Sequence, residues 1–310
     1  MTLLPKPGVP FLTDAGLETC LVFKEGFELP AFAAFVLLDD PRGLDSLKAY
    51  YRDFLDLAER HDTGLVLDMP SWRANPDWGA AIGFDRDALA AANRAALAMI
   101  AGLRDQSAMA DRVALNAVIG PRGDGYRPDA MMTEQQARDY HAWQIGCAAE
   151  AGADIVTGLT MNYVDEAQGI AAAAGVAGLP CVISFTVETD GSLPDGTTLA
   201  EAVRRVDDRH GSRVPYYMIN CAHPSHFAGV LGDSELAERI GGIRANASRM
   251  SHAELDEAEM LDEGDPDQLA QDYRDLLGDL PNLCVLGGCC GTDHRHVDAI
   301  ARECLPLMRG

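Results

Sequence analysis

The sequence predicts an α/β fold of one class, a single (β/α)8 TIM barrel over residues 1–310 with its active site at the C-terminal ends of the strands. Three observations predict it. Eight short apolar runs recur along the chain, segments with helical periodicity separate them, and 310 residues with 47% hydrophobic content suit one barrel-sized core. The runs are PFLTDA near residue 10, GLVLDM from 64, VALNAVIG from 113 and DIVTGLT from 154, then PCVISFT from 180, YYMIN from 216, GIRAN from 242 and LCVLGG from 283. After the first run, Leu44, Leu47, Tyr51, Phe54, Leu55 and Ala58 recur at spacings of three and four, the apolar stripe of a helix lying on a sheet. Thr133 and Gln136 stand at capping-box spacing and open a helix expected to carry Tyr140, Trp143, Cys147 and Ala148 along one face. After Thr292 a last helix buries Val297, Ile300, Ala301 and Cys304. Strands that strictly alternate with helices pair in parallel through crossovers, and eight such units close most economically into a barrel.

An open doubly wound sheet is the other architecture with this alternation, but its first turn usually carries a three-glycine dinucleotide fingerprint. Here the first strand runs into Asp14-Ala15-Gly16-Leu17-Glu18-Thr19, which lacks that spacing. Two long connections interrupt the rhythm, at about residues 20–40 and in the acidic stretch 251–267. The second is expected to be a solvated loop or short surface helix, with a lid or an oligomer contact as the alternative.

Lys and Arg number 25 against 48 Asp and Glu, a formal net charge of −23. Such a field repels phosphate backbones and anionic lipid headgroups, which excludes nucleic acid and membrane surfaces as partners. The opening MTLLPKPGVP has no secretory pattern and no apolar stretch is long enough to span a bilayer, so a cytoplasmic location is expected. In that reducing compartment the eight cysteines read as thiols, core fillers or metal ligands.

Three of those cysteines fall where a barrel places its chemistry. The sixth run leads into Cys221-Ala222-His223-Pro224 and the eighth into Cys289-Cys290-Gly291-Thr292. Three thiolates with a fourth position free are what a catalytic zinc uses to hold an exchangeable ligand. The competing reading is a vicinal disulfide or redox pair at Cys289 and Cys290. Cys20, Cys147, Cys181, Cys284 and Cys304 read as packing. His294 and His296 are expected in the first turn of the last helix, close to solvent.

The segments Asn220-Cys221-Ala222-His223-Pro224 and Gly287-Gly288-Cys289-Cys290-Gly291-Thr292 resemble the two zinc motifs of the homocysteine S-methyltransferase family. The opening Asp14–Thr19 turn is similar to the family's DGGMGT-like turn, and Ile119-Gly120-Pro121, Ile183-Ser184-Phe185-Thr186 and Asp195-Gly196-Thr197 match further segments. The resemblance implies Zn2+ held by Cys221, Cys289 and Cys290, with the acceptor thiol as a further ligand, and methyl transfer from a sulfonium or quaternary ammonium donor. Together with the positions where the chain departs from the family, it gives the expected substrate contacts as Asp14, Gly16, Leu17, Ser71, Arg73, Leu159, Asn220 and Asn246. The implied partners are a small-molecule thiol acceptor and a methyl donor, and a homodimer is the assembly allowed.

Two departures bear on the acceptor. Leu159 stands where the family commonly has a glutamate for the amine of homocysteine, and leucine accepts no hydrogen bond. The turn Met69-Pro70-Ser71-Trp72-Arg73-Ala74-Asn75 brings an arginine and an indole to the mouth, where Arg73 meets an acceptor's carboxylate or is a salt-bridged surface arginine, while Asp14 or Asp68 can still hold an amine. A different small thiol or selenol acceptor is therefore an alternative. A zinc hydrolase and a structural zinc or redox barrel are the remoter ones. The turn Pro121–Tyr126 is a donor contact or simply a turn.

Overall fold

In the computed structural model, which describes residues 3–309, eight parallel strands close into a barrel in chain order. They are β1 (Phe11–Leu12), β2 (Gly64–Asp68), β3 (Val113–Ile119), β4 (Ile155–Met161), β5 (Cys181–Phe185), β6 (Tyr217–Asn220), β7 (Ile240–Ala245) and β8 (Val285–Gly288). Every predicted run supplies one strand. Closure is direct, since Phe11 and Leu12 pair with Gly64 and Leu65 on one side and with Val285 and Leu286 on the other.

The helices that return each strand are α1 (Pro41–Arg60), α2 (Arg86–Gln106), α3 (Glu134–Ala151), α4 (Val164–Ala177), α5 (Leu199–His210), α6 (Ser234–Arg239), α7 (Pro266–Leu276) and α8 (His294–Met308). Their starts follow the sequence chemistry. Asp40 caps α1 by accepting from Gly43 N–H with Pro41 in the first turn, and Thr133 with Gln136 forms the expected capping box on α3. The stripe on α1 is buried from Leu47 to Ala58.

Two expectations about helix faces are corrected. Helix α3 buries Ala137, His141, Gln144 and Ile145 together with Cys147 and Ala148, while Tyr140 and Trp143 lie at its margin. Packing against α4 turns the polar His141 inward because Glu166 of α4 accepts a 2.8 Å hydrogen bond from it. His296 is fully buried too: it closes a capping box with Asp293 and bonds the Glu263 carbonyl. His294 remains half exposed.

Both long connections rise over the C-terminal end of the barrel. The acidic stretch forms a short helix, His252–Asp256, followed by irregular chain. Lys24 from the first connection pairs with Glu263 of the second and with Asp293 at the start of α8 (2.5 Å). Among the described residues no helix is long and apolar enough to cross a membrane.

Candidate metal centre

The ends of β6 and β8 bring Cys221, Cys289 and Cys290 together, with their three Sγ atoms within 4.8 Å of one another. The backbone is built to aim them. Cys221 adopts φ 53°, a left-handed conformation that is costly for a side-chain-bearing residue. Its carbonyl accepts from Asn246 Nδ2 (3.0 Å) and His252 Nε2 (2.7 Å), which hold that turn in place. Opposite, Cys289 N–H donates to the Ala245 carbonyl (2.8 Å), and an added Cβ on Gly16 would stand 2.5 Å from the Cys289 carbonyl oxygen. Gly291, at φ 79°, lets the chain turn directly after the pair.

Each sulfur also has a neighbouring donor. Thr160 Oγ1 lies 3.9 Å from Cys221, Asn220 Nδ2 4.0 Å from Cys289, and the Tyr126 hydroxyl 4.0 Å from Cys290. Donors around sulfur stabilise its thiolate form and orient it. Thr160 reaches its place through a register shift in β4 and a φ of 64°, and the Asn220 amide braces it, donating to its Oγ1 (2.9 Å) and accepting from its N–H (3.1 Å).

This donor set fits zinc. Tetrahedral Zn–S bonds of about 2.3 Å place sulfurs roughly 4 Å apart; the three Sγ atoms lie within 4.8 Å of one another, Cys221 and Cys289 closer than a shared zinc would hold them, and the cluster opens into a cavity. Burial pushes the Cys290 thiol up to about 11, with the charge of Glu18 adding to it, so the thiolate form calls for a cation. No fourth His, Cys or carboxylate joins the cluster among the described residues, which speaks against a closed structural site. Cys20, Cys147, Cys181, Cys284 and Cys304 are buried apart from it. The Cys221 and Cys289 sulfurs are in direct contact and their Cα atoms are 5.4 Å apart, so this pair, and not the vicinal one, has the spacing of a disulfide.

The cavity above the thiols has a volume of about 590 Å3. Phe23, Leu29 and Phe32 of the first connection and Leu255, Met260 and Leu261 of the acidic one form apolar walls. The acidic stretch is thus a wall of the site as well as a solvated segment, tied to the turn after β3 by an Arg127–Asp256 pair at 3.1 Å.

Its floor holds a buried ionic triad. Arg244 of β7 reaches Asp14 (2.5 Å) with one guanidinium nitrogen and Asp68 with another. One arginine cannot fully compensate two buried carboxylates. Burial first, and the Asp68 charge with it, push Asp14 up to about 8 even though Arg244 pulls the other way. Burial likewise works against the Arg244 cation, but the two aspartates outweigh it and hold its pKa above the ordinary value. Asp14 and Asp68, expected to be free to hold an amine, are therefore already occupied.

Of the residues expected to touch substrate, Asp14, Gly16, Leu17, Ser71, Arg73 and Leu159 line the cavity. Asn220 and Asn246 are not among its lining residues, because their amides brace Thr160 and the Cys221 turn. Arg73 stacks between the rings of Trp72 and Trp78, at 3.9 and 4.0 Å, and donates to the Gly123 carbonyl (3.0 Å). Sequence reasoning did not single out Arg244, Glu18 or Thr160. A charged residue inside the apolar GIRAN run, and a glutamate at the fifth position of the DGGMGT-like turn, were the available signals.

The comparisons with known proteins agree with the barrel fold. The chain superimposes on the homocysteine methyltransferase MmuM from Escherichia coli in its metallated form with a TM-score of 0.73 at 19% identity, covering 95% of this chain and 96% of that one. The oxidized form of the same protein gives 0.75 at 19% identity over 95% and 96% of the two chains, and the apo form 0.67 at 18% over 96% of each. No curated protein matches in sequence. The model of the family described as homocysteine S-methyltransferase matches residues 11–304, and the chain belongs to that family.

Proposed function

We propose that this protein is a zinc-dependent S-methyltransferase that moves a methyl group from a sulfonium or quaternary ammonium donor to a small thiol, with homocysteine the acceptor and methionine the product. The observation that carries the reading is the convergence of Cys221, Cys289 and Cys290 at the foot of one open cavity. Zinc, when bound by these three, supplies the Lewis acidity that keeps an acceptor's sulfur deprotonated at neutral pH, where a free thiol with a pKa of about 8.5 is mostly protonated.

The chain's own residues supply the rest. Thr160, Asn220 and Tyr126 fix the three sulfurs. The apolar walls exclude water from the path of the methyl group, which strengthens charge interactions inside. Phe23, Phe32 and Tyr126 line the cavity, and aromatic rings there favour a cationic methyl donor. Transfer consumes that positive charge together with the thiolate's negative one, so two neutral groups remain and neither is held by charge. A cytoplasmic setting, with reduced thiols, and a homodimer complete the proposal.

An acceptor without an amine is the second reading. Leu159 and the capture of Asp14 by Arg244 favour it, since both remove a partner for an ammonium group.

The test joins metal analysis to a transfer assay. Zinc is measured in the wild type and in Cys221→Ser, Cys289→Ser and Cys290→Ser, and several thiols are crossed with S-methylmethionine, betaine, S-adenosylmethionine and dimethylsulfoniopropionate, with products read by mass spectrometry. Stoichiometric zinc in the wild type, its loss in each variant and a methylated thiol are expected. Variants that keep stoichiometric zinc would remove the site.

A further inference from the structure

Six carboxylates and two guanidinium groups line the cavity. Five of the carboxylates have partners. Asp14 and Asp68 share Arg244, Asp256 pairs with Arg127, Asp262 accepts from Ser248 Oγ (2.6 Å) and Gly264 N–H (3.0 Å), and Asp124 accepts from the Tyr126 and Arg127 N–H groups at 2.8 and 3.0 Å. Glu18 has no ion-pair partner among the described residues and no side chain donates to it. It is half-buried and lines the cavity.

The cations divide in the same way. Arg244 holds two carboxylates, whereas Arg73 holds none. Arg73 is 7% exposed, and its Nε has no hydrogen-bond partner. Two indole faces and one carbonyl keep its guanidinium in position without neutralising it. A buried charge without a counter-charge is costly, and a site that keeps two such groups of opposite sign has a ligand to receive. The two line one cavity, yet they do not pair with one another. Unpaired opposite charges on one cavity suit the ammonium and carboxylate of an α-amino acid.

We propose that Glu18 and Arg73 form the clamp for the amino-acid head group of the acceptor, Glu18 receiving the ammonium and Arg73 the carboxylate. This rests on the proposed transfer to an amino-acid thiol, and it explains how such a thiol binds although Leu159 offers no acceptor and Asp14 is held by Arg244. Glu18 and Arg73 line the same cavity as Cys221, Cys289 and Cys290, so the clamp opens onto the space above the thiols that would receive the acceptor's sulfur. Burial pushes the Glu18 carboxyl up to about 7, with Arg244 and Arg73 pulling it down, and an arriving ammonium would fix its charged form.

The test reads head-group recognition separately from chemistry. Binding of L-methionine, of 4-(methylthio)butanoate, which lacks the ammonium, and of methioninol, which lacks the carboxylate, is measured calorimetrically on the zinc-loaded wild type and on Glu18→Gln, Arg73→Met and Arg73→Lys. The wild type is expected to bind L-methionine about tenfold or more tightly than either analogue. Glu18→Gln is expected to weaken L-methionine by about tenfold and leave 4-(methylthio)butanoate unchanged, and the Arg73 variants to weaken both and spare methioninol. Equal weakening of all three ligands by Glu18→Gln would mean a structural role. A Glu18→Gln variant that binds L-methionine normally but has a raised KM for the methyl donor would place the onium there instead, and either result overturns the clamp. A wild type that neither binds L-methionine nor methylates homocysteine overturns the amino-acid reading and the clamp with it. A wild type that does both while the variants change nothing overturns the clamp alone.

Discussion

Arg244→Met tests the ionic floor of the site. The substitution keeps most of the side-chain volume and removes the one cation that Asp14 and Asp68 share. All three groups are nearly inaccessible, with side chains 5%, 3% and 7% exposed, so solvent screening offers little relief. Removing one partner from a buried ion pair costs about 3–5 kcal/mol, because the remaining charge must be kept buried or neutralised. A chain of 310 residues unfolds with an entropy of about 0.65 kcal/mol per degree, which converts that cost into a Tm lower by roughly 5–8 °C. The pH dependence gives the sharper check. A carboxyl whose folded pKa lies above its unfolded value favours folding below the unfolded pKa and loses that contribution as pH rises through the folded one. The wild type already has this sign at Asp14, between about pH 4 and 8. In the variant a further carboxyl must be kept protonated, so the penalty grows by up to about 1.4 kcal/mol for each pH unit. Thermal unfolding followed by circular dichroism at pH 5 and pH 8 measures it. A variant no less stable than the wild type, or one destabilised more at pH 5 than at pH 8, would refute the triad as a charged unit. The neutral set Asp14→Asn, Asp68→Asn and Arg244→Met together should recover much of the loss.

Mild oxidation is expected to join Cys221 to Cys289, whose Cα atoms are 5.4 Å apart, and to release zinc; peptide mapping should show that cross-link, and a thiol reductant with added zinc should restore activity. A Cys289–Cys290 cross-link would contradict the geometry. Lys24→Ala removes the tie between the first connection, Glu263 and Asp293; because Lys24 and Glu263 are about a third exposed, the global cost should stay at about 1 kcal/mol or less. Amide exchange should nevertheless quicken in residues 20–40 and 251–265 and not in the strands, and unchanged exchange in both segments would show that the tie holds neither.

The barrel was readable because its signal is local and repeated. Each strand is a short apolar run, and the GLVLDM and VALNAVIG runs need no neighbour to be recognised. The thiol cluster was readable for a different reason, since cysteine and glycine at two strand ends have few other uses. What escaped depends on contacts between distant elements. Tyr140 and Trp143 share a spacing with Cys147, but the buried face of α3 is set by His141 finding Glu166 on α4. His296 looked exposed at a helix start until a carbonyl from the acidic stretch, Glu263, covered it. Leu159 could be noticed as an absence from sequence. That Asp14 is also withdrawn required seeing Arg244 arrive from β7.

The strained backbone and the ionic triad answer one physical problem. Strand ends in a barrel point outward from a tightly packed core, and a thiol leaving β6 in ordinary extended geometry would not be turned as the left-handed Cys221 is. The left-handed turns at Cys221 and Thr160 therefore each accept a cost of about 1–3 kcal/mol, and they persist because Asn220, Asn246 and His252 bond the segments around them. Asn220, the Asn246 Nδ2 and the His252 Nε2 thus serve the scaffold, not a ligand. The same holds for Asp14 and Asp68 once Arg244 is present. Subtracting the polar groups used to hold the mouth in shape leaves the thiols, Glu18, Arg73 and the unpartnered Tyr51 hydroxyl at the cavity with capacity unused, and of these Glu18 and Arg73 carry the charge that recognises a head group.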